Sequence, residues 1–454
     1  MNFSGIVFLF CFLPIAILLY YVAPLKLKKS LLLFLSVIFY LVAAYRFILL
    51  VTAFALLGYT LGIAVEKKES PNVRKIYLTL SVAIFVGCLC LFKYGEYFQA
   101  FFPNNTLFSW GLPLGISFYT FQLISYIFDV YSGKIKAEKN IISFFLYVMF
   151  FPKITAGPIV RYNDFSKCLS FRTTSAIILS EGIVRFTIGL AKKAILAGSL
   201  MHAISNFSKV QSNVLSLWLS SIVFTLYLYY DFSGYSDMAV GLGKMFGFDF
   251  PENFDYPYSS KSISEFWRRW HMTLGSWFRD YVYIPLGGNR CSKLRWMLNI
   301  MIVWLLTGIW HGSNIVFALW GLYFGVLIIL EKTISNKIDW KIPGILKTVV
   351  TMFFINLGFV FFSSDDIFFA TERIRGMFGA SGIPFSNPEA VFYLRNHIVL
   401  IIISVLLSQP VFKKVHLPSK IATAVKPLAI LVLLVLSTAF MADGPSTPFL
   451  YADF

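Results

Sequence analysis

Residues 251–290 read PENFDYPYSSKSISEFWRRWHMTLGSWFRDYVYIPLGGNR, and residues 296–314 read WMLNIMIVWLLTGIWHGSN. The first segment is basic and aromatic and carries His271; the second is an apolar run that ends at another histidine, His311. On either side the chain is mostly apolar runs of near twenty residues separated by short polar loops. A helix rises about 1.5 Å per residue, so such runs match the ~30 Å hydrocarbon core of a bilayer. The runs read as a membrane-embedded wall, and the basic block reads as the chemistry.

Composition agrees. Of 454 residues, 58% are hydrophobic and 13% charged, with a mean hydropathy of +0.73. A soluble domain carries about 25% charged residues. Apolar runs lie near 3–22, 31–64 (a hairpin between basic loops), 76–93, 113–131, 141–151, 176–200, 213–230, 296–310, 314–330, 345–363, 395–409 and 426–441. The expected fold is an all-α polytopic membrane protein with roughly 11–13 transmembrane or re-entrant helices. It is read as one membrane domain over residues 1–454, with a core at about residues 226–331. No internal repeat is visible. The first run lacks a basic leader and a small-residue cleavage site, so it is expected to stay as the first span.

The net charge of +17 does not point to nucleic acid. The cations fall in short loops, as Lys26, Lys28 and Lys29, then Lys67, Lys68, Arg74 and Lys75. This distribution orients spans and places those loops, and the 132–140 loop, in the cytosol. Cys11, Cys88, Cys90, Cys168 and Cys291 are scattered, with neither a disulfide framework nor zinc-ligand spacing.

Two runs are unusually polar. Residues 113–131 carry Ser117, Gln122, Ser125 and Asp129; residues 226–247 carry Asp231, Ser233, Ser236 and Asp237. Polar groups at membrane depth must face protein or water. Two readings stand: lining of an interior cavity, or bonding between neighbouring helices.

In the central block, Ser262 and Glu265 have the spacing of a capping box. Trp267, Trp270, Leu274, Trp277 and Tyr281 recur at helical spacing, Arg268, Arg269 and Arg279 fall off that face, and His271 sits on its border. This predicts an amphipathic helix at the membrane interface. PLGGNR (285–290) makes a glycine-rich turn. His311 follows fourteen uncharged residues, Met297 to Trp310, between Gly308 and Gly312, which permit close approach. An imidazole at that depth suits proton transfer near neutral pH; the competing reading is a structural histidine bonded to a carbonyl. His202, His397 and His416 lack polar company.

The run FDYPYSSKSISEFWRRWHMTLGSWFRDYVYIPLGGNR, followed by LLTGIWHGSNIVFALWGLYFG, resembles the signature of the membrane-bound O-acyltransferases, most nearly their bacterial alginate O-acetyltransferase branch. VFLFCFLPIAILLYY, PLGISFYTFQLISYIFDVY, FFPKITAGPIVRY, YYDFSGYSDMAVGLGKMFGF and the ending FLYADF match that branch in order. The resemblance implies helices arranged around a membrane-crossing tunnel in the bacterial cytoplasmic (inner) membrane. It maps the family's essential histidine onto His311, as proton acceptor or covalent acyl relay, and a second histidine onto His271. Arg268 and Arg269 would position the donor, with Trp267, Trp310, Asn253, Asp231 and Asp237 completing the candidate set. The implied donor substrate is acetyl-CoA or another acyl thioester, with no cofactor or metal. The implied partners, beyond membrane lipids, are an extracytoplasmic esterase-like (SGNH-type) acetyltransferase and an exopolysaccharide or other cell-envelope glycan acceptor. Two departures stand out: Phe324 replaces a histidine of several members, and FFSSDD (361–366) lacks an arginine often present there. The alternatives are D-alanyl transfer to teichoic acid and a transporter or flippase, which would show repeated halves.

Overall fold

Hydrocarbon offers no hydrogen-bond partners, so a chain this apolar satisfies its backbone within helices. A computed structural model describes residues 2–95, 97, 111–170, 174–335, 342–380, 382–411 and 419–443. The sequence expectations at His416 and FLYADF lie outside these residues. Among the described residues the structure is 79% helical with no strand, and eight helices are long and apolar enough to cross a membrane. The protein is an all-α, multi-pass membrane protein. Within the expected 31–64 hairpin, a helix over Lys28–Ala44 gives way through a 3-10 turn, Tyr45–Phe47, to a helix over Ile48–Lys67.

The described residues form two compact units. One comprises residues 1–189 and 235–252, and the other residues 190–234 and 253–447, each with respect to its described residues. The first unit is built around the Ile116–Tyr131 helix, fourteen of whose sixteen residues are buried. Gly58 and Gly62 of the Ile48–Lys67 helix let that helix close on Leu123 and Tyr126. Two polar groups of the Ile116–Tyr131 helix are met by lysines: Lys153 Nζ donates to Gln122 Oε1 at 2.5 Å, and Lys134 approaches Asp129 at 3.5 Å. In the same unit Arg185 pairs with Asp237 at 2.7 Å and Glu252 at 2.5 Å.

The second unit contains the helix pair Lys293–His311 and Ile315–Ser335, joined by three residues. A Cβ on Gly308 would lie 2.2 Å from the Phe317 carbonyl oxygen, and one on Gly321 2.2 Å from that of Trp304. Only hydrogen at these positions allows so close a crossing, as the spacing of Gly308 and Gly312 suggested. The Gly344–Phe362 helix then packs Gly358 against Phe324 and Tyr323. Lys193, on a π-helical turn over Lys192–Ala197, pairs with Asp231 at 2.5 Å, and both side chains are buried. Of the two readings of the polar runs, the structure therefore favours bonding between helices for Gln122, Asp231 and Asp237.

Gly321→Ala is expected to destabilise the protein by ~1–3 kcal/mol through overpacking. Gly87→Ala, where nothing lies within 4 Å of the added carbon, should be neutral or stabilising by up to ~1 kcal/mol from helix propensity. Unfolding midpoints in detergent check this. Equal midpoints for the two variants would contradict the close crossing.

Candidate active site

The site is assembled from two segments that end at histidines by different means. His311 is the last residue of the Lys293–His311 helix, before an extended Gly312. Its ring packs against Trp310, Trp320 and Phe362, with centroids 4.8, 5.0 and 5.4 Å away. Thr307 and Trp304 lie one and two turns earlier on the same face, as helical spacing requires.

His271 is placed by a break in the chain. Ser262 caps the Ile263–Arg269 helix by accepting from the Glu265 N–H at 3.1 Å, and Glu265 Oε2 accepts from the Lys261 N–H at 2.9 Å. The reciprocal arm thus reaches one residue before the cap. Glu331 adds a second anchor, accepting from the Ile263 N–H at 2.6 Å, a favourable place for a carboxylate because the helix N-terminus is positive. The expected single helix through Tyr281 does not form. Trp270 is extended and His271 adopts a left-handed conformation (φ 44, ψ 52), after which Met272–Phe278 and a π-helical turn, Arg279–Tyr283, resume. Backbone bonds with an upstream loop make the break possible: the Asp255 N–H donates to Arg269 O at 3.0 Å and the Met272 N–H to Asn253 O at 2.9 Å. Trp270 and Trp277 are 3% and 5% exposed, so this face packs into protein and not into a lipid interface.

Asn253 Oδ1 lies 3.0 Å from His271 Nδ1 and accepts from the Thr273 N–H at 3.2 Å and Thr273 Oγ1 at 2.9 Å. The His271 ring meets Phe232 edge-on at 4.7 Å and lies 6.2 Å from Trp310. His271 lies outside the spanning helices, and burial pulls its imidazole down to about 3, which holds it neutral.

Both histidines open onto one cavity of about 620 Å³. This falls within the ~300–1,000 Å³ usual for small-molecule sites. Leu274, Phe278, Ile300, Val303, Trp304 and Ile328 form apolar walls, Ser264, Ser276, Thr307 and Tyr283 bring hydroxyls, and Arg268, Arg279 and Lys332 bring cations. No carboxylate is among the lining residues.

Of the candidates read from sequence, His271, His311, Arg268 and Trp267 line this cavity, and Trp310 touches both histidines. Asn253 stands behind His271. Arg269 turns away to Glu265 at 2.7 Å and Asp255 at 3.9 Å. Asp231 is held by Lys193, and Asp237 belongs to the first unit. Thr307 and Trp304 were missed, although their spacing from His311 signals them. Arg279 was noticed only as off the helix face, and Lys332 has no local signal at all. Phe324 is fully buried against Trp267, Trp304 and Trp320, so an apolar side chain suits that position. The PLGGNR turn is pinned to the next helix by Asn299, which donates to the Leu286 and Gly288 carbonyls at 3.2 and 3.1 Å.

Residues 135–365 match the family model of the membrane-bound O-acyltransferases. The chain is 38% identical to the "Probable alginate O-acetylase AlgI" of Pseudomonas aeruginosa, over 83% of this chain and 75% of that protein. It is 30% identical to the "Peptidoglycan O-acetyltransferase" of Helicobacter pylori, over 90% of this chain and 86% of that protein. It is also 34% identical to the "Teichoic acid D-alanyltransferase" of Bacillus subtilis, over 58% of this chain and 71% of that protein. With the family model spanning half the chain and relatives aligned along most of it, the chain belongs to the membrane-bound O-acyltransferase family and is a multi-pass O-acyltransferase.

Proposed function

We propose that this protein takes an acetyl group from cytosolic acetyl-CoA and delivers it for O-acetylation of an exopolysaccharide, alginate-like, or of another cell-envelope glycan. The observation that carries the reading is the single cavity onto which two imidazoles and three cations open, with no carboxylate among its lining residues. Such a lining suits an anionic thioester. Arg268, Arg279 and Lys332 are matched to the phosphates of coenzyme A, the two guanidiniums in forked pairs and the ammonium as a point charge. Arg279 also pairs with Asp280 at 2.8 Å, which leaves Arg268 the stronger candidate.

In the proposed reaction a glycan or relay hydroxyl attacks the thioester carbonyl, the C–S bond breaks, and the released thiolate takes up the proton as the free thiol. His311 either accepts the hydroxyl proton as the C–O bond forms, or first receives the acetyl group as an acyl-imidazole and passes it on. His271 and Arg268 hold the donor. The site lies in one membrane domain of the bacterial cytoplasmic membrane and works with an extracytoplasmic esterase-like transferase. The longer alignments to O-acetyl-transferring relatives favour acetate over D-alanine as the ester.

His311→Ala, at membrane levels matched to wild type in a deletion strain, is expected to reduce ester-linked acetate on envelope glycans by roughly 10²-fold or more. Full rescue by that variant would sink a catalytic His311, and unchanged acetate in the deletion would redirect the assay to ester-linked D-alanine. Arg268→Leu should raise KM for acetyl-CoA by roughly 10- to 100-fold, the equivalent of a charge-assisted hydrogen bond, with a smaller effect on kcat. An unchanged KM would remove Arg268 from the donor site.

A further inference from the structure

We propose that Asn253 is a positioning residue that fixes His271 as its Nδ1–H tautomer, so that Nε2 faces the cavity as an acceptor for a hydrogen-bond donor on the substrate. The proposal rests on the transferase reading above and assigns a part of that site. The hydrogen-bond pattern carries it. A backbone N–H can only donate, so the Thr273 N–H requires the oxygen of the Asn253 carboxamide, not its nitrogen, at the shared position. That oxygen also lies 3.0 Å from His271 Nδ1, so Nδ1 must bear the proton and Nε2 the lone pair. His271 Nε2 is buried and has no hydrogen-bond partner among the described residues, while the side chain lines the cavity. A buried polar atom left without a partner has its desolvation unrepaid until something donates to it.

The backbone supports the same assignment. A non-glycine residue in the left-handed region is uncommon and costs energy, and among the described residues only Tyr256 and His271 adopt it. The Asn253 carbonyl, by accepting from the Met272 N–H, secures that turn from the same residue whose side chain secures the ring. No covalent bond changes at His271 in this role. The donor is an acceptor-substrate hydroxyl or a pantetheine amide N–H, which share this chemistry.

The charged and titratable groups around His271 are known. Arg268, Arg279, Lys332, Tyr283 and His311 share its cavity. Asp231, beside Phe232, is paired with Lys193, while Glu265 and Asp255 are paired with Arg269. Among the described residues no carboxylate lines the cavity beside the ring, so introducing one is informative. Asn253→Asp keeps the accepting oxygen and the tautomer but adds a charge that favours the imidazolium. Protonated at Nε2, His271 no longer accepts, so the acid limb of the pH–rate profile should move to higher pH.

The experiment compares purified wild type with Asn253→Asp, Asn253→Ala, His271→Ala and the Asn253→Ala/His271→Ala double variant, using acetyl-CoA as probe. Each alanine variant should lose roughly 10²-fold in kcat/KM, and the double variant should lose no more than the worse single, because both changes remove one device. A fall in kcat identifies the hydroxyl as the donor, and a rise in KM for acetyl-CoA identifies the pantetheine amide. Unfolding midpoints against pH provide a readout independent of turnover. In wild type the folded imidazole is held below its unfolded value of about 6.5, so stability is full above that pH and is lost as pH falls towards about 3. Asn253→Asp should weaken or reverse that acid loss. Superimposable pH curves for wild type and Asn253→Asp, or losses that multiply in the double variant, would overturn the proposal. Wild type that turns over no acetyl-CoA would refute the donor assignment alone, and the pH–stability comparison would still decide the role of Asn253.

Discussion

Hydrocarbon cannot hydrogen-bond, and the rest of this structure follows from that restriction. Backbone groups close on themselves in helices, and several long polar side chains find partners on neighbouring segments. Lys153 reaches Gln122, Lys193 reaches Asp231, and Arg185 reaches Asp237 and Glu252. Of these, Lys193 and Asp231 are both buried, and charges removed from water are tolerated when they are paired and hydrogen-bonded. Such pairs tie distant parts of the chain together, and this is a sufficient reason for aspartates in the Val214–Met245 helix without a role in substrate binding.

The cavity gathers two imidazoles, four hydroxyls and three cations in one place. Two histidines reach it by different routes. His311 arrives at the end of a helix whose neighbour crosses so closely that only glycines fit at Gly308 and Gly321. His271 arrives at a left-handed turn between two short helices, with its ring held from behind by Asn253. Trp310 touches both rings, so the shape of one position constrains the other. Trp267, Trp304, Trp320 and Phe324 pack on one another, with Trp320 against His311, and the cations stand at exposed positions of the lining. This arrangement keeps the His271 imidazole buried while the cations of the lining stand nearer water.

The family and the two histidines were legible in the chain because their signals are local. A WRRWH segment and a WHG segment are runs of adjacent residues, and a single charge-free span before His311 makes an imidazole conspicuous. Arg268 and Trp267 were found for the same reason. Arg269, its neighbour, was not separable from Arg268 by sequence: both fall off the aromatic face, and only the position of Glu265 and Asp255 turns one of them away from the cavity.

The class was legible in the chain: apolar runs of bilayer length with cations in the loops admit little besides a helical multi-pass protein, because backbone in lipid has no other partner. So was the helix start at Ser262, whose hydroxyl competes for a local N–H. Tertiary structure alone decided that the aromatic stripe from Trp267 to Tyr281 would break at His271, because the bonds that sustain the break come from Asn253 and Asp255, well upstream in the chain. It alone decided that Asp231 would face Lys193 and that Lys332 would join the cavity. Those outcomes depend on which helices lie side by side, and helical periodicity records a residue's face without recording what that face meets.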